Sequence, residues 1–95
     1  MIAEHNTILC ETQGDDHIID LTTNVQAMVA ESGVDTGQAA LLVHGSTAAL
    51  TTLEYEPGLV NHDIRTAMER LAPRDAHYEH EETWQDDNGH SHVRA

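Results

Sequence analysis

The spacing of apolar positions along the chain predicts two helices. The first covers residues 22–32, and Leu21, just before it, shares one apolar stripe with Val25, Met28 and Val29. Thr22 or Thr23 is the candidate N-cap, and Gly33 lies where a C-terminal cap belongs. Pro57 opens the second helix and Pro73 ends it. Its apolar stripe consists of Val60, Ile64, Ala67, Met68 and Leu71.

Alternating or continuous apolar runs predict strands elsewhere. The predicted strands are residues 4–12, 17–19, 38–44, 46–56 and 90–95. A turn is expected at 13–16, and a long polar loop is expected between Asp75 and the last strand. The resulting order, β-β-α-β-β-α-β, predicts an α+β fold in a single domain, residues 1–95.

The composition is strongly acidic and restricts the partners of the protein. Seventeen acidic residues against four arginines and no lysine give a formal charge of −13. Such a surface repels nucleic acid and anionic membranes, and the absence of lysine suits a very salty cytoplasm. The N-terminus has neither a basic start nor a long apolar run, so we expect no signal peptide, no membrane span and a cytoplasmic location. Cys10 is the only cysteine, which excludes an intrachain disulfide.

The last nineteen residues hold four of the eight histidines. In an extended segment His90 and His92 would project to the same face, with their Cα atoms about 6.5–7 Å apart. His77 and His80 precede them, among the carboxylates of Glu79, Glu81, Asp86 and Asp87. Mixed imidazole and carboxylate ligands suit zinc, manganese or a similar divalent ion. A flexible polar loop whose histidines merely titrate explains the same spacing equally well.

Two features earlier in the chain add candidate chemistry. Glu54 ends an otherwise apolar strand, where a carboxylate is costly unless it is paired or bound to a metal. Alternatively, the strand emerges into solvent there. Gly45, Ser46 and Thr47 offer backbone N–H groups and hydroxyls to a phosphate, although a tight connection between two strands would look the same.

Three motifs in this order resemble the YjbQ-like family, known as secondary thiamine-phosphate synthases. They read GSTAALTTLEYEPGL, MERLAPRDAHYEHEETW and DDNGHSHVRA. The matching positions are Ser46–Thr52, Glu54, Tyr78–His80, Asp86, Asp87 and His92. The chain departs from the family pattern at Gly45, where members carry a histidine that this sequence has one position earlier, as His44. Members also continue past the equivalent of Ala95 with further strands.

The resemblance implies a fold and an assembly. The fold is an α+β domain with a β-sandwich and two helices, and members resemble compact homotrimers. It also implies that residues 1–95 form a domain that is C-terminally incomplete relative to the family.

Together with the resemblance, these residues lead to the hypothesis of a divalent-metal site, with zinc, manganese or magnesium held by Glu54, His80, His90 and His92. Glu54 and Asp87 are the expected catalytic residues, with Asp87 orienting a ligand histidine. Gly45, Ser46 and Thr47 would bind a small phosphorylated metabolite. The implied reaction joins a pyrimidine pyrophosphate to a thiazole phosphate and releases pyrophosphate. The alternatives are a non-enzymatic homo-oligomer that binds a metal or a phosphometabolite, and a structural oligomer with unliganded histidines.

Overall fold

A computed structural model describes residues 3–95, and the chain divides into two compact units, residues 1–41 and 42–95. Within the described range all regular structure is helical. It comprises α1 (Thr22–Ser32), a π-helical turn (Leu59–Asp63), α2 (Ile64–Leu71), α3 (Glu79–Trp84) and α4 (Gly89–Arg94). No helix in this range is both long enough and apolar enough to cross a bilayer.

The predicted α+β fold with a β-sandwich is wrong: residues 3–95 contain no strand. The segments 4–12, 17–19, 38–44 and 46–56 have no ladder hydrogen bonds, and 90–95 lies mainly in α4. Leu9 and Leu42, expected in strands, are 92% and 83% exposed. Alternation shows which face a strand would bury, but it does not supply the neighbouring strand that must accept its backbone hydrogen bonds.

In the first unit, the predicted helix is confirmed as α1, with the bounds Thr22–Ser32. Gly33 ends it in the left-handed conformation, at φ 72°. The predicted threonine N-cap is wrong, because Leu21 occupies the N-cap position. The Asp20 carboxylate accepts a hydrogen bond from the Thr22 backbone N–H at 2.9 Å. Hydrogen bonds from the Thr22 side chain and backbone lower the pKa of Asp20.

In the second unit, the helix predicted between the two prolines is confirmed, and it runs through the π-helical turn into α2. The carboxylate of Glu56 accepts hydrogen bonds from the backbone N–H groups of Gly58 and Leu59, at 2.9 and 2.6 Å. These bonds satisfy two of the amides that every helix start leaves without an internal partner. The π-helical turn itself has no signal in the apolar pattern.

The second unit buries few side chains. Val60 and Ala72 are 8% and 2% exposed, and His90 is 4% exposed. The region predicted as a long polar loop contains α3, so that prediction is wrong in part. Helix α3 packs against α4. The short helices therefore depend on contacts with each other, since isolated helices of this length are unstable in water.

Arg94 ties α4 to the end of α2. Its Nε donates to the Ala72 carbonyl at 2.9 Å, and a terminal nitrogen pairs with Glu69 at 2.8 Å. The Arg94 side chain is only 10% exposed, whereas that of Glu69 is 54% exposed. We infer that the bond to the buried Ala72 carbonyl contributes more to stability than the ion pair does.

We therefore expect Arg94→Ala to lower the free energy of unfolding by about 2 kcal/mol, the range for hydrogen bonds to charged groups. Urea denaturation of the 95-residue chain measures this change. Arg70→Ala, an exposed arginine of α2, is the control and should change stability by less than about 0.5 kcal/mol. Equal losses in the two variants would contradict a specific role for Arg94.

Candidate metal centre

The link between α3 and α4, residues 85–88, brings the histidine-rich end of the chain back onto α3. Gln85 and Asp87 adopt left-handed backbone conformations, with φ of 58° and 57°. The Gln85 N–H donates to the Glu81 carbonyl at 2.9 Å and closes α3. The Asn88 carbonyl accepts from the backbone N–H groups of Ser91 and His92, which begins α4. The two turns reverse the chain within four residues.

This reversal gathers His80 from α3, Asp86 from the link and His92 from α4. One potential ligand atom from each side chain lies within 4.8 Å of the other two. His80 Nε2 is 3.2 Å from Asp86 Oδ1, with the two side chains 26% and 44% exposed. The imidazole rings of His80 and His92 have centroids 4.3 Å apart and are tilted by 44°. Two imidazoles and one carboxylate thus lie close together.

The side-chain amide of Asn88 lies against the same groups, 3.0 Å from His80 Nε2. Its nitrogen is assigned to this side, because its oxygen would face only acceptors. In this orientation the nitrogen donates to Asp86 Oδ1 at 2.7 Å and to His80 Nε2 at 3.0 Å.

Packing beneath the cluster fixes the start of α4. Gly89 is buried, and its N–H donates to the carboxylate of Glu81. The Tyr78 side chain lies against Gly89, and its hydroxyl donates to the Pro73 carbonyl at 2.6 Å. A side chain at position 89 has no room, so glycine is required here by close approach.

His90 and His92 do not share a face, because α4 replaces the predicted strand. Successive helical residues are rotated by about 100°, so positions two apart project about 200° apart. His92 joins the cluster with His80 and Asp86. His90 is buried, with Nε2 3.3 Å from the Ser91 hydroxyl. The geometric argument for pairing the two histidines therefore fails.

The other predicted site residues lie outside this group of three. Glu54 is exposed, and its carbonyl accepts a hydrogen bond from the Glu56 N–H at 3.1 Å. Gly45, Ser46 and Thr47 lie in an exposed bend, where Gly45 has φ 112°. Asp87 is exposed as well. Glu54, Asp87 and the bend keep the status of predictions from the sequence.

Asp86 and Asn88 are the cluster members that sequence reasoning did not assign to the site. Asp86 was named as a nearby carboxylate and as a position matching the family motif, but its neighbour Asp87 was preferred for a role in the site. The sequence DDNG contains a signal, because Asp, Asn and Gly tolerate the tight backbone turns that aim side chains inward. Which aspartate faces the histidines depends on the left-handed turn at Asp87, and the composition does not encode that choice.

Fold and cluster together define a small acidic chain whose second unit carries a histidine–carboxylate group between two short helices. Comparison with known proteins identifies the family: residues 6–95 match the one described as UPF0047 protein YjbQ-like. The chain belongs to this family, and the predicted resemblance is confirmed. It is 35% identical over 78 residues to a UPF0047 protein of Methanothermobacter thermautotrophicus. That match covers 82% of this chain and 52% of the relative, so the chain spans about half the relative's length. No solved structure matches the chain.

Proposed function

We propose that the protein binds one divalent transition-metal ion through His80, Asp86 and His92. The proposal rests on the convergence of their ligand atoms within 4.8 Å. Ligands about 2.0–2.1 Å from a tetrahedral zinc ion lie about 3.4 Å apart. The 3.2 Å between His80 Nε2 and Asp86 Oδ1 is close to this value. One ring nitrogen of His92 lies within 4.8 Å of both of these ligand atoms. Compared with the set expected from the sequence, this ligand set omits Glu54 and His90 and adds Asp86.

The donor set favours some metals over others. Two imidazoles suit zinc and similar transition metals, whereas magnesium prefers oxygen ligands and water. Manganese accepts both donor types. We therefore order the candidates as zinc and manganese before magnesium. With these three protein ligands, a tetrahedral ion keeps one further coordination position for another oxygen ligand.

We further propose thiamine-phosphate synthase activity, which the family resemblance implies. In this reaction the ring nitrogen of a thiazole phosphate forms a bond to the methylene carbon of a pyrimidine pyrophosphate. The carbon–oxygen bond to pyrophosphate breaks, and pyrophosphate leaves with the electron pair. A divalent ion, if held by His80, Asp86 and His92, would neutralise charge on the phosphate oxygens. The bend at Gly45, Ser46 and Thr47 would hold a phosphate through backbone N–H groups and hydroxyls, with Glu54 and Asp87 as the proposed catalytic carboxylates.

A second candidate is a non-enzymatic protein that binds a metal or a phosphorylated metabolite. The exposure of Asp86, 44%, favours it, because an open cluster does not exclude water from a reacting pyrophosphate. In either case we propose a homotrimer in a salty cytoplasm. The exposed apolar side chains of Leu9 and Leu42 support the homotrimer, because subunit contacts would cover them. The charge of −13 without lysine supports the salty cytoplasm, where ions screen the repulsion.

Calorimetric titration of the untagged 95-residue chain tests the metal proposal. We expect one zinc per chain, with a dissociation constant below about 10 µM, and weaker binding of magnesium. Release of pyrophosphate from the two thiamine precursors then separates the candidates. Metal-dependent product supports the synthase, and stoichiometric metal without product supports the binding protein. A chain that takes up no zinc or manganese would refute the metal site.

A further inference from the structure

Asn88 occupies the N-cap position of α4 but makes no side-chain cap hydrogen bond. Asparagine is among the residues that cap helix starts best, through a side-chain oxygen that accepts a backbone N–H bond. Here the amide instead faces the cluster, 3.0 Å from His80 Nε2 and 2.7 Å from Asp86 Oδ1. The side chain is therefore directed to the site rather than to the helix.

The amide and a metal ion compete for the same electron pairs. A neutral imidazole has a single acceptor nitrogen, whose one lone pair can bind an amide proton or a metal but not both. Asp86 Oδ1 has a second lone pair, yet it too lies within hydrogen-bond distance of the amide nitrogen. Metal binding to His80 and Asp86 must therefore remove this nitrogen from its present position.

Rotation of the Asn88 amide by 180° solves this conflict without moving the backbone. The carbonyl oxygen then takes the place of the nitrogen, about 3.0 Å from His80 Nε2. Without a cation, and with no proton on His80 Nε2, this arrangement is unfavourable, because the oxygen then faces only acceptors. With a cation between them, three lone-pair donors point at one positive charge, which is the arrangement of a metal site.

We propose that Asn88 is a fourth metal ligand that acts as an amide switch. In the empty site its nitrogen donates to His80 and Asp86 and keeps both side chains in place. In the loaded site its oxygen coordinates the metal. This inference rests on the proposed metal site and deepens it, because a carbonyl oxygen suits manganese better than zinc. Asn88 thus shifts the preference of the site toward manganese.

The test compares Asn88→Ala and Asn88→Asp with the wild-type chain by calorimetric titration with manganese chloride and zinc chloride. We expect Asn88→Ala to weaken manganese binding about tenfold or more and zinc binding less. Asn88→Asp keeps an oxygen ligand and should retain affinity for both metals. Asn61→Ala, at an exposed asparagine within the π-helical turn, is the control and should bind both metals like the wild type.

Two further measurements separate a ligand from a structural residue. Circular dichroism should show the same helix content in Asn88→Ala, because no cap bond is lost. In a ¹⁵N-labelled chain, saturation with zinc should shift the Asn88 side-chain NH₂ signals and speed their exchange with water. Unchanged signals and exchange on loading would overturn the switch.

The outcomes distinguish this inference from the metal site itself. If His80→Ala abolishes zinc and manganese binding while Asn88→Ala binds both metals as tightly as the wild type or more tightly, only the role of Asn88 is overturned. Tighter binding by Asn88→Ala is the result expected if the Asn88 amide only obstructs the site. A wild-type chain that binds neither metal, or binding that His80→Ala does not affect, would overturn the proposed site and this inference together.

Discussion

Replacing His80 or His92 with alanine is expected to weaken zinc binding by about 100-fold or more. Loss of a residue that only supports a ligand already costs about 10- to 100-fold, so loss of a ligand costs at least as much. Wild-type chain at a zinc concentration of 100 times its dissociation constant should gain about 2.7 kcal/mol of stability. Each variant should lose nearly all of this gain. Thermal unfolding with zinc and with excess chelator measures both quantities.

The chain contains a matched control for this experiment. His62 and Asp63 form an exposed pair, with Nδ1 2.8 Å from Oδ1 and side chains 76% and 65% exposed. This pair has the same chemistry as His80 and Asp86 but is not part of the cluster. His62→Ala should therefore leave the zinc-dependent gain unchanged. A loss of the gain in His62→Ala, together with a retained gain in His80→Ala, would move the binding site away from the cluster.

Replacing Gly89 with alanine is expected to destabilise the fold at the start of α4. An added Cβ would lie 2.5 Å from Glu81 Oε1 and 2.6 Å from Tyr78 Cβ, distances that real contacts do not reach. The hydrogen bond from the Tyr78 hydroxyl to the Pro73 carbonyl holds this side chain, and α4 must shift instead. We expect a loss of about 1–3 kcal/mol, the usual cost of overpacking. Metal affinity should fall as well, because His92 moves with α4.

Gly58→Ala provides the comparison, since Gly58 is also helical but has space around it. An added Cβ there meets only the carboxylate of Glu56, at 3.3 Å, which is the end of a flexible side chain. Alanine is favoured over glycine within helices by about 1 kcal/mol. Urea denaturation should therefore show equal or higher stability for Gly58→Ala. If Gly89→Ala were as stable as the wild type, the close packing at the start of α4 would be refuted.

The sequence predicts α1 and the helix between the prolines because their signals are local. A periodic apolar stripe, a glycine at the C-terminal end and a proline at the start each act within a few residues. Strand formation depends on a distant partner, so the alternation in 46–56 did not determine the structure there. The strand prediction for residues 90–95 was wrong for another reason. Two histidines two positions apart are compatible with a strand, but Asn88 just before them also allows a helix to begin.

The sequence predicted which types of residue form the candidate site, but not which individual residues. The surplus of histidines and acids near the end of the chain identified the region and two members, His80 and His92. The choice of Asp86 over Asp87 follows from the left-handed turn at Asp87. The role proposed for Asn88 rests on its contact with His80, which the spacing of the two residues in the sequence does not predict.

The link between α3 and α4 carries a consequence for engineering. Gln85 and Asp87 both adopt a conformation that costs a non-glycine residue about 1 kcal/mol or more. Glycine at either position would relieve that strain. It would also make the backbone more flexible there, so the side chains of Asp86 and Asn88 would be oriented less firmly. A variant stabilised in this way would hold the proposed ligands Asp86 and Asn88 less firmly, so thermal stability and the geometry of the proposed site oppose each other in these four residues.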